Sequence, residues 1–154
     1  MPDYIRELRK LVGNRPIILC GAAVIFVDDK DRVLLHHRTD NNMWGIPGGA
    51  MELGERLEET ARREAYEEVG LTCHTLKLFD VYSGPELYYR YPDGNEVYNV
   101  SAVYICRDFS GEVKVDQAEG KAANFFSIID IPSEISPPVR VVIDDFCRRY
   151  QRSD

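Results

Sequence analysis

The sequence predicts one α/β domain, a sandwich in which helices cover a mixed β-sheet. Short apolar stretches separated by turn residues, typical of strands, fill most of the chain. Residues at its start, middle and end show the apolar spacing of amphipathic helices. A length of 154 residues suits a single domain with a sizeable core, so we expect residues 1–154 to fold as one unit.

The first part of the chain is predicted as a helix followed by two strands. Residues 1–15 form the helix, which Asp3 can cap and Gly13 ends. A nearly continuous apolar run over residues 17–27 indicates a buried strand, and residues 33–37 indicate a second one. Because only an acidic turn separates them, we expect these strands to form a hairpin. The helix carries four apolar residues at helical spacing: Tyr4, Ile5, Leu8 and Leu11.

The rest of the chain is predicted as a central helix, further strands and a closing helix. Residues 55–69 lack proline and glycine and form the central helix, which Gly70 ends. The closing helix covers residues 138–150, and Pro92-Asp93-Gly94 indicates a turn. Strands are predicted over residues 71–82, 87–91, 97–106, 112–115 and 124–128.

Charge and cysteine content limit the classes of function. A net charge of -7 argues against extended nucleic-acid binding, which needs a positive surface. A small phosphorylated ligand is compatible, because a divalent cation can supply positive charge locally. The first residues lack the apolar core of a secretory signal, and no apolar run is long enough to span a bilayer. The scattered cysteines are expected to be reduced and mostly buried, which indicates the cytoplasm: Cys20, Cys73, Cys106 and Cys147.

The central helix carries carboxylates on its inward side. On a helical wheel, Glu64 and Glu68 fall within or beside the apolar arc and Glu67 lies at its edge. An ordinary solvated helix with i,i+4 ion pairs is the usual interpretation of such a sequence. Three inward carboxylates within one turn, however, would repel one another and lose hydration unless a cation is present. Because Mg²⁺ prefers oxygen ligands, the pattern predicts a divalent-cation site. Three residues define the arc: Leu57, Ala61 and Ala65.

Two glycines and an arginine fit the same site. Gly48 and Gly49 let the backbone turn and approach a metal or phosphate closely, although most such pairs are only turns. Arg63 can pair with Glu59 or Glu67 at i±4 and hold a carboxylate in place. We expect its role to be structural more than directly catalytic.

The spacing of these residues resembles the Nudix box of the Nudix (MutT-like) hydrolase family. Gly49 is followed after five residues by Glu55, and after seven more by Arg63-Glu64-Ala65-Tyr66-Glu67-Glu68-Val69-Gly70-Leu71. This matches the box at each defining position, with alanine as a small aliphatic residue at position 65. The preceding Trp44-Gly45-Ile46-Pro47-Gly48 is similar to the usual approach to the box. The resemblance implies a Nudix α/β/α sandwich with residues 49–71 as a loop-helix-loop.

The resemblance also implies an activity and a metal. The reaction would be hydrolysis of a diphosphate linkage in a nucleoside diphosphate joined to another group, with Mg²⁺ or Mn²⁺. Glu64, Glu67 and Glu68 would be the metal ligands, with the carbonyl of Gly48 as one more. Glu55 would act through water or hold the loop.

The attacking water needs a general base. Glu68 is the first candidate, and Glu119, in the loop before the last strand, is the second; Glu119 is equally compatible with a solvated loop carboxylate. Arg63 would orient Glu64.

Residues outside the box are candidates for substrate binding. Arg38 could hold a phosphate or form a surface ion pair, and Trp44 could stack on a base or simply pack, while Gly49 would admit a phosphate. The three histidines are expected to be strand residues rather than ligands: His36, His37 and His74.

Two signals point to different substrates. Pro85 stands where a proline marks the ADP-ribose pyrophosphatases of the family, while Tyr88 and Tyr89 stand near the tyrosine of dinucleoside polyphosphate hydrolases. The balance favours ADP-ribose or a nucleotide sugar, with a nucleoside triphosphate left open. The rival function is a catalytically silent Nudix module that senses a nucleotide. The N-terminal helix and residues 82–98 are expected to complete the pocket or to form a homodimer interface.

Overall fold

The computed structural model describes residues 3–116, 118 and 120–152. Within these residues the chain forms three helices: α1 (Asp3–Val12), α2 (Leu57–Val69) and α3 (Pro137–Arg152). The eight strands found there are β1 (Ile17–Phe26), β2 (Val33–Arg38), β3 (Trp44–Gly45), β4 (Gly48–Ala50), β5 (Thr72–Tyr82), β6 (Tyr88–Arg90), β7 (Glu96–Ser110) and β8 (Gly120–Phe126). A 3-10 turn, Pro85–Leu87, precedes β6.

The strands divide into two sheets that share the helical layers. The larger sheet has the order β4-β1-β7-β5, and β6 also pairs with β7. In it β1 and β7 are parallel, whereas the other pairs are antiparallel. The smaller sheet, β3-β2-β8, is antiparallel throughout. This mixed arrangement confirms the predicted α/β sandwich.

Strand β1 is central because its alternate residues enter two different cores. Val24 and Phe26 pack with Ala61 and Ala65 of α2 in the first core. Their neighbours Ala23, Ile25 and Val27 pack with the apolar face of α3 in the second core, which contains Val142, Ile143 and Phe146. A strand buried on both faces is apolar throughout, which explains the continuous run in the sequence.

The predicted hairpin between the first two strands is wrong. β1 and β2 share only an isolated bridge, Val27 to Val33, and then separate into the two sheets. The edges of β1 are taken by β7 and β4, and those of β2 by β3 and β8. The turn itself is well built, because the Asp28 carboxylate accepts the backbone N–H groups of Lys30 and Arg32 at 3.0 and 2.8 Å.

The strand predicted at residues 112–115 is also wrong. This segment attaches to the end of α2 instead of joining a sheet: Lys114 donates its N–H to the Val69 carbonyl at 2.8 Å, and Asp116 donates to the Glu68 carbonyl at 3.4 Å. α2 ends at Gly70, as predicted, in the left-handed conformation with φ of 76°. The segment after β7 therefore runs beside the box helix.

Most of the apolar residues of α1 are not buried, and one cysteine is exposed. Of the apolar residues predicted for α1, only Ile5 is buried, and Leu11 is 83% exposed. Cys20 is exposed in the first half of β1, whereas Cys73 and Cys106 are buried; all four cysteines are free thiols. In the described part of the chain, no helix combines the length and apolarity needed to cross a bilayer.

Candidate active site

Strand β4 brings the two box glycines against α2. Gly48 donates its N–H to Oε2 of Glu68 at 2.8 Å. A Cβ on Gly49 would lie 2.4 Å from Cδ of Glu64, so a side chain at position 49 would displace this carboxylate. The glycines are therefore required by the close approach of two box glutamates to the β4 backbone.

The three box glutamates differ in exposure. Glu64 and Glu68 are buried, with 6% and 2% of their surface exposed. Glu67 is not directed inward as predicted, because its side chain is 51% exposed. Its position at the edge of the buried arc accounts for this. All three still line one cavity.

Arg63 connects the box loop to the helix. Its Nε and Nη2 donate to the two oxygens of Glu55 at 2.6 and 2.9 Å, and its Nη1 donates to Glu64 at 2.8 Å. Hydrogen bonds from Arg63, opposed by burial, lower the pKa of Glu55 to about 2. The same bonds raise the pKa of Arg63. Of the partners predicted at i±4, Glu67 lies 3.4 Å away, whereas Glu59 pairs with Arg56.

Arg38, the last residue of β2, also reaches this helix. Its Nε and Nη2 each donate to Asp40 at 3.1 Å, and its Nη1 donates to Oε1 of Glu68 at 3.4 Å. Burial lowers the pKa of Arg38, but the charges of Glu68 and Asp40 outweigh it and the net shift is upward. Asp40 was missed by sequence reasoning, although its place two residues after Arg38 was a usable signal.

His36 is buried beside Glu68, as a packed strand residue. Its Nδ1 lies 3.9 Å from Oε2 of Glu68. A Cβ on Gly120 would lie 2.6 Å from its Nε2, so the start of β8 closes tightly over the ring. The loop before β8 is also held by Thr39, which donates its hydroxyl to the Ala118 carbonyl at 3.0 Å. Glu119 lies outside the described residues.

The box faces a cavity of about 680 Å³. Its opposite side consists of Leu87, Tyr89, Tyr91 and parts of α1 and β7. The rings of Tyr89 and Tyr91 meet edge to face at 4.9 Å, and burial raises the pKa of Tyr91. Among the described residues, seven of the predicted site residues line this cavity: Arg38, Gly48, Gly49, Arg63, Glu64, Glu67 and Glu68.

Trp44 has a packing role. Its ring lies 5.0 Å from that of His37 and 5.1 Å from that of Phe126, in the second core. Tyr88 likewise turns away from the cavity, toward Tyr98 at 5.1 Å.

The donor set suits a hard divalent cation. Glu64 and Glu68 present carboxylate oxygens beside a backbone that glycine leaves open, and hard cations such as Mg²⁺ prefer oxygen ligands. Within the residues described, no three acidic, histidine or cysteine side chains converge as a preformed cation cage. Instead, the Nη1 atoms of Arg63 and Arg38 lie at these carboxylates.

Comparison with known proteins agrees with this geometry. The family model of the NUDIX domain matches residues 19–146. The chain belongs to the Nudix hydrolase family. It is 33% identical over 148 residues to an ADP-ribose pyrophosphatase of Methanocaldococcus jannaschii, a match that covers 94% of this chain and 83% of that protein.

Two further relatives of this Nudix domain are informative. A putative 8-oxo-dGTP diphosphatase of Bacillus subtilis is 38% identical over 66 residues, which cover 43% of this chain and 44% of that protein. The crystal structure of a MutT Nudix hydrolase from Burkholderia pseudomallei superposes with a TM-score of 0.70 at 27% identity. That superposition covers 84% of this chain and 97% of the other.

Proposed function

We propose that this Nudix domain hydrolyses the diphosphate linkage of a nucleoside diphosphate joined to another group. The observation that carries the proposal is the pair of buried carboxylates, Glu64 and Glu68, seated by Gly48 and Gly49 at a cavity of about 680 Å³. A cavity of this size suits a nucleotide-sized ligand.

A divalent cation, Mg²⁺ or Mn²⁺, would be held by Glu64, Glu67 and Glu68, with the Gly48 carbonyl as a further ligand. When bound, such a cation neutralises phosphate oxygens and lowers the pKa of a coordinated water. Arg63 keeps Glu64 oriented through the bonds that fix it to Glu55.

The other chain groups bind the substrate and move a proton. Arg38 offers a guanidinium to a phosphate at the edge of the cavity, and Gly49 leaves its backbone open to one. Glu68 is the proposed base that takes a proton from the attacking water, with Glu119 as the alternative. The two candidate bases predict different results. Replacing Glu68 should weaken cation binding as well as catalysis, because Glu68 is also a proposed cation ligand, whereas replacing Glu119 should affect catalysis alone.

ADP-ribose, or a similar sugar-linked nucleoside diphosphate, is the proposed substrate. The support is threefold. The relative from Methanocaldococcus jannaschii is an ADP-ribose pyrophosphatase. Pro85 begins the 3-10 turn that places Leu87 in the cavity wall. Tyr89 and Tyr91 provide aromatic surface on which a base can stack.

The test is a product assay on a substrate panel, with the Glu68→Gln variant beside the wild-type protein. The panel comprises ADP-ribose, nucleotide sugars, dinucleoside polyphosphates and nucleoside triphosphates, each with Mg²⁺ or Mn²⁺. We expect ADP-ribose to be cut most efficiently, and the variant to lose at least ~100-fold in kcat, as removal of a metal ligand or base does. Glu58→Gln is the matched control on the exposed face of α2.

Two outcomes would contradict the proposal. If no substrate is cut but nucleotides bind, the protein is a nucleotide sensor. If Glu68→Gln retains activity while a Glu119→Gln variant loses it, the base is Glu119 and the role of Glu68 must be revised.

A further inference from the structure

Two arginines approach the box glutamates with the same pattern of hydrogen bonds. Arg63 is fixed by the Glu55 carboxylate through Nε and Nη2, and it directs Nη1 to Glu64. Arg38 is held by Asp40 through the same two nitrogens, and it directs Nη1 to Glu68. Asp40 therefore holds Arg38 in the way that Glu55 holds Arg63. Unlike Glu55, Asp40 lies outside the Nudix box.

The two arrangements differ in how firmly they are held. Glu55 is 14% exposed and also accepts the Glu52 N–H at 3.0 Å and the Thr60 hydroxyl at 2.7 Å. Asp40 is 39% exposed, and its two bonds to Arg38 are longer, at 3.1 Å. The Nη1 contact of Arg38 with Glu68, at 3.4 Å, is longer than that of Arg63 with Glu64, at 2.8 Å.

Arg38 also occupies a position that Arg63 does not. It lies at a register shift between His37 and Arg38 in β2, and its guanidinium contacts Glu68 in a cavity that Tyr91 also lines. A guanidinium in this place can neutralise the buried Glu68 carboxylate or contact a phosphate in the cavity. The Nη1 N–H that points at Glu68 becomes available to a phosphate only when that contact is broken.

We propose that Arg38, positioned by Asp40, is a counter-ion of Glu68 that a divalent cation displaces, and that the released Nη1 then binds a substrate phosphate. This inference rests on the proposed function, because it requires the cation at Glu68. Asp40 is a positioning residue: it keeps the guanidinium at the cavity after the contact with Glu68 is lost. Cation and diphosphate binding are then coupled, and each strengthens the other.

The coupling predicts effects of opposite sign for one substitution. In the nucleotide-free protein, Arg38 competes with the cation for Glu68, so Arg38→Gln should bind Mn²⁺ more tightly, by about fivefold. The same substitution should weaken binding of a diphosphate, because the phosphate contact is lost. Arg38→Lys keeps the positive charge but lacks the planar set of N–H donors of a guanidinium. Its Mn²⁺ affinity should stay near that of the wild type, while its affinity for the diphosphate should fall.

The experiment measures binding by calorimetry, without turnover. Mn²⁺ is titrated into nucleotide-free protein, and α,β-methylene-ADP is titrated with Mg²⁺ and again with EDTA. Arg32→Gln is the control for a lost positive charge, because Arg32 pairs with Asp28 in the β1–β2 turn. Circular dichroism and thermal unfolding establish that each variant is folded before its affinities are compared.

The role of Asp40 is tested by a double-mutant cycle. Asp40→Asn alone should weaken Mn²⁺ and diphosphate binding, because Arg38 can then move fully onto Glu68. In the Arg38→Gln background the same change should have a much smaller effect, since Asp40 acts through Arg38. Equal effects in the two backgrounds would mean that Asp40 acts only as a nearby charge and would overturn its positioning role.

The inference and the proposed function fail in different measurements. If Arg38→Gln binds Mn²⁺ as the wild type does, or more weakly, the competition between Arg38 and the cation does not exist. If the wild-type protein binds no Mn²⁺, or Glu68→Gln binds it equally well, the cation is not at Glu68 and the proposed function itself must be revised.

Discussion

The two sides of the cavity are built from different lengths of sequence. The box side is local, since Gly48, Gly49, Glu64 and Glu68 lie within 21 residues of one another. The opposite side, which we name the substrate side after its proposed role, combines α1, the β6–β7 pair and the start of α3. We infer that the side chains proposed for the reaction are positioned by their spacing within one short stretch of sequence. The side chains proposed to select the substrate are positioned by the packing of elements that lie far apart in the chain.

Helix α1 links the two sides. At its start Tyr4 donates its N–H to Oε1 of Glu52 in the box loop at 3.2 Å. At its end Arg9 donates to the Glu96 carbonyl, at the beginning of β7, at 2.7 Å. Ile5, between them, is buried and lines the cavity. The helix therefore joins the substrate side to the box side through hydrogen bonds at both of its ends.

The largest effect is expected from Gly49→Ala on the box side. The new Cβ would lie 2.4 Å from Cδ of Glu64, which must then move away from β4. We expect a loss of about 100-fold or more in kcat with ADP-ribose, since a displaced ligand has the effect of a missing one. Gly45→Ala is the control, because its Cβ would meet only ordinary contacts at 3.7 Å. Similar losses in both variants would show that the effect is general strain.

The next effect concerns the ion pair that supports the box. Because Arg63 lowers the pKa of Glu55 from 4.5 to about 2, the folded state favours the ionised carboxylate. This stability is fully present above pH 4.5 and is lost as the pH falls through about 2. Glu55→Gln should therefore lower the urea midpoint at pH 6 and have little effect near pH 2.

A second background identifies the cause of this pH dependence. In Arg63→Met, the additional change Glu55→Gln should alter the urea midpoint much less, and with little dependence on pH. An equal pH-dependent loss in both backgrounds would mean that Arg63 is not the origin of the shift.

The comparison also explains what the sequence could predict. Glu64 and Glu68 were identified from the wheel and from the box because a helix fixes the relation between residues four apart. The contacts of these two glutamates with Gly48 and Gly49 follow from the same local spacing. The wheel placed Glu67 at the edge of the buried arc, and counting this edge position as inward was wrong, because the side chain is 51% exposed.

The missed features all depend on pairing between distant segments. The prediction of a β1–β2 hairpin was wrong because β7 and β4 pair with the two edges of β1. Tyr91 faces the cavity because β6 pairs with β7, and Asp40 meets Arg38 at a register shift in β2. Alternation of apolar residues predicts that strands exist, but it does not state which edges join.

A smaller effect is expected on the substrate side, from Tyr91→Leu. If a base stacks there, the loss should raise KM for ADP-ribose about tenfold and leave kcat nearly unchanged, because aromatic stacking contributes to binding and not to the chemical step. Tyr88→Leu is the control, since Tyr88 packs on Tyr98 outside the cavity wall. Both variants are compared by steady-state kinetics. Equal changes of KM in the two variants would contradict stacking of a base on Tyr91.

The smallest effect is expected at the link between the two sides, from Arg9→Met. Arg9 donates to the carbonyls of Gly13, Arg15 and Glu96 at 3.0, 2.7 and 2.7 Å. Without these bonds α1 would fray from β7 and the substrate side would loosen, so KM for ADP-ribose should rise about threefold at constant kcat. Lys10→Gln, which breaks only an exposed pair with Glu7, should change neither value. A fall in kcat for Arg9→Met would instead show that α1 acts on the box side through Glu52.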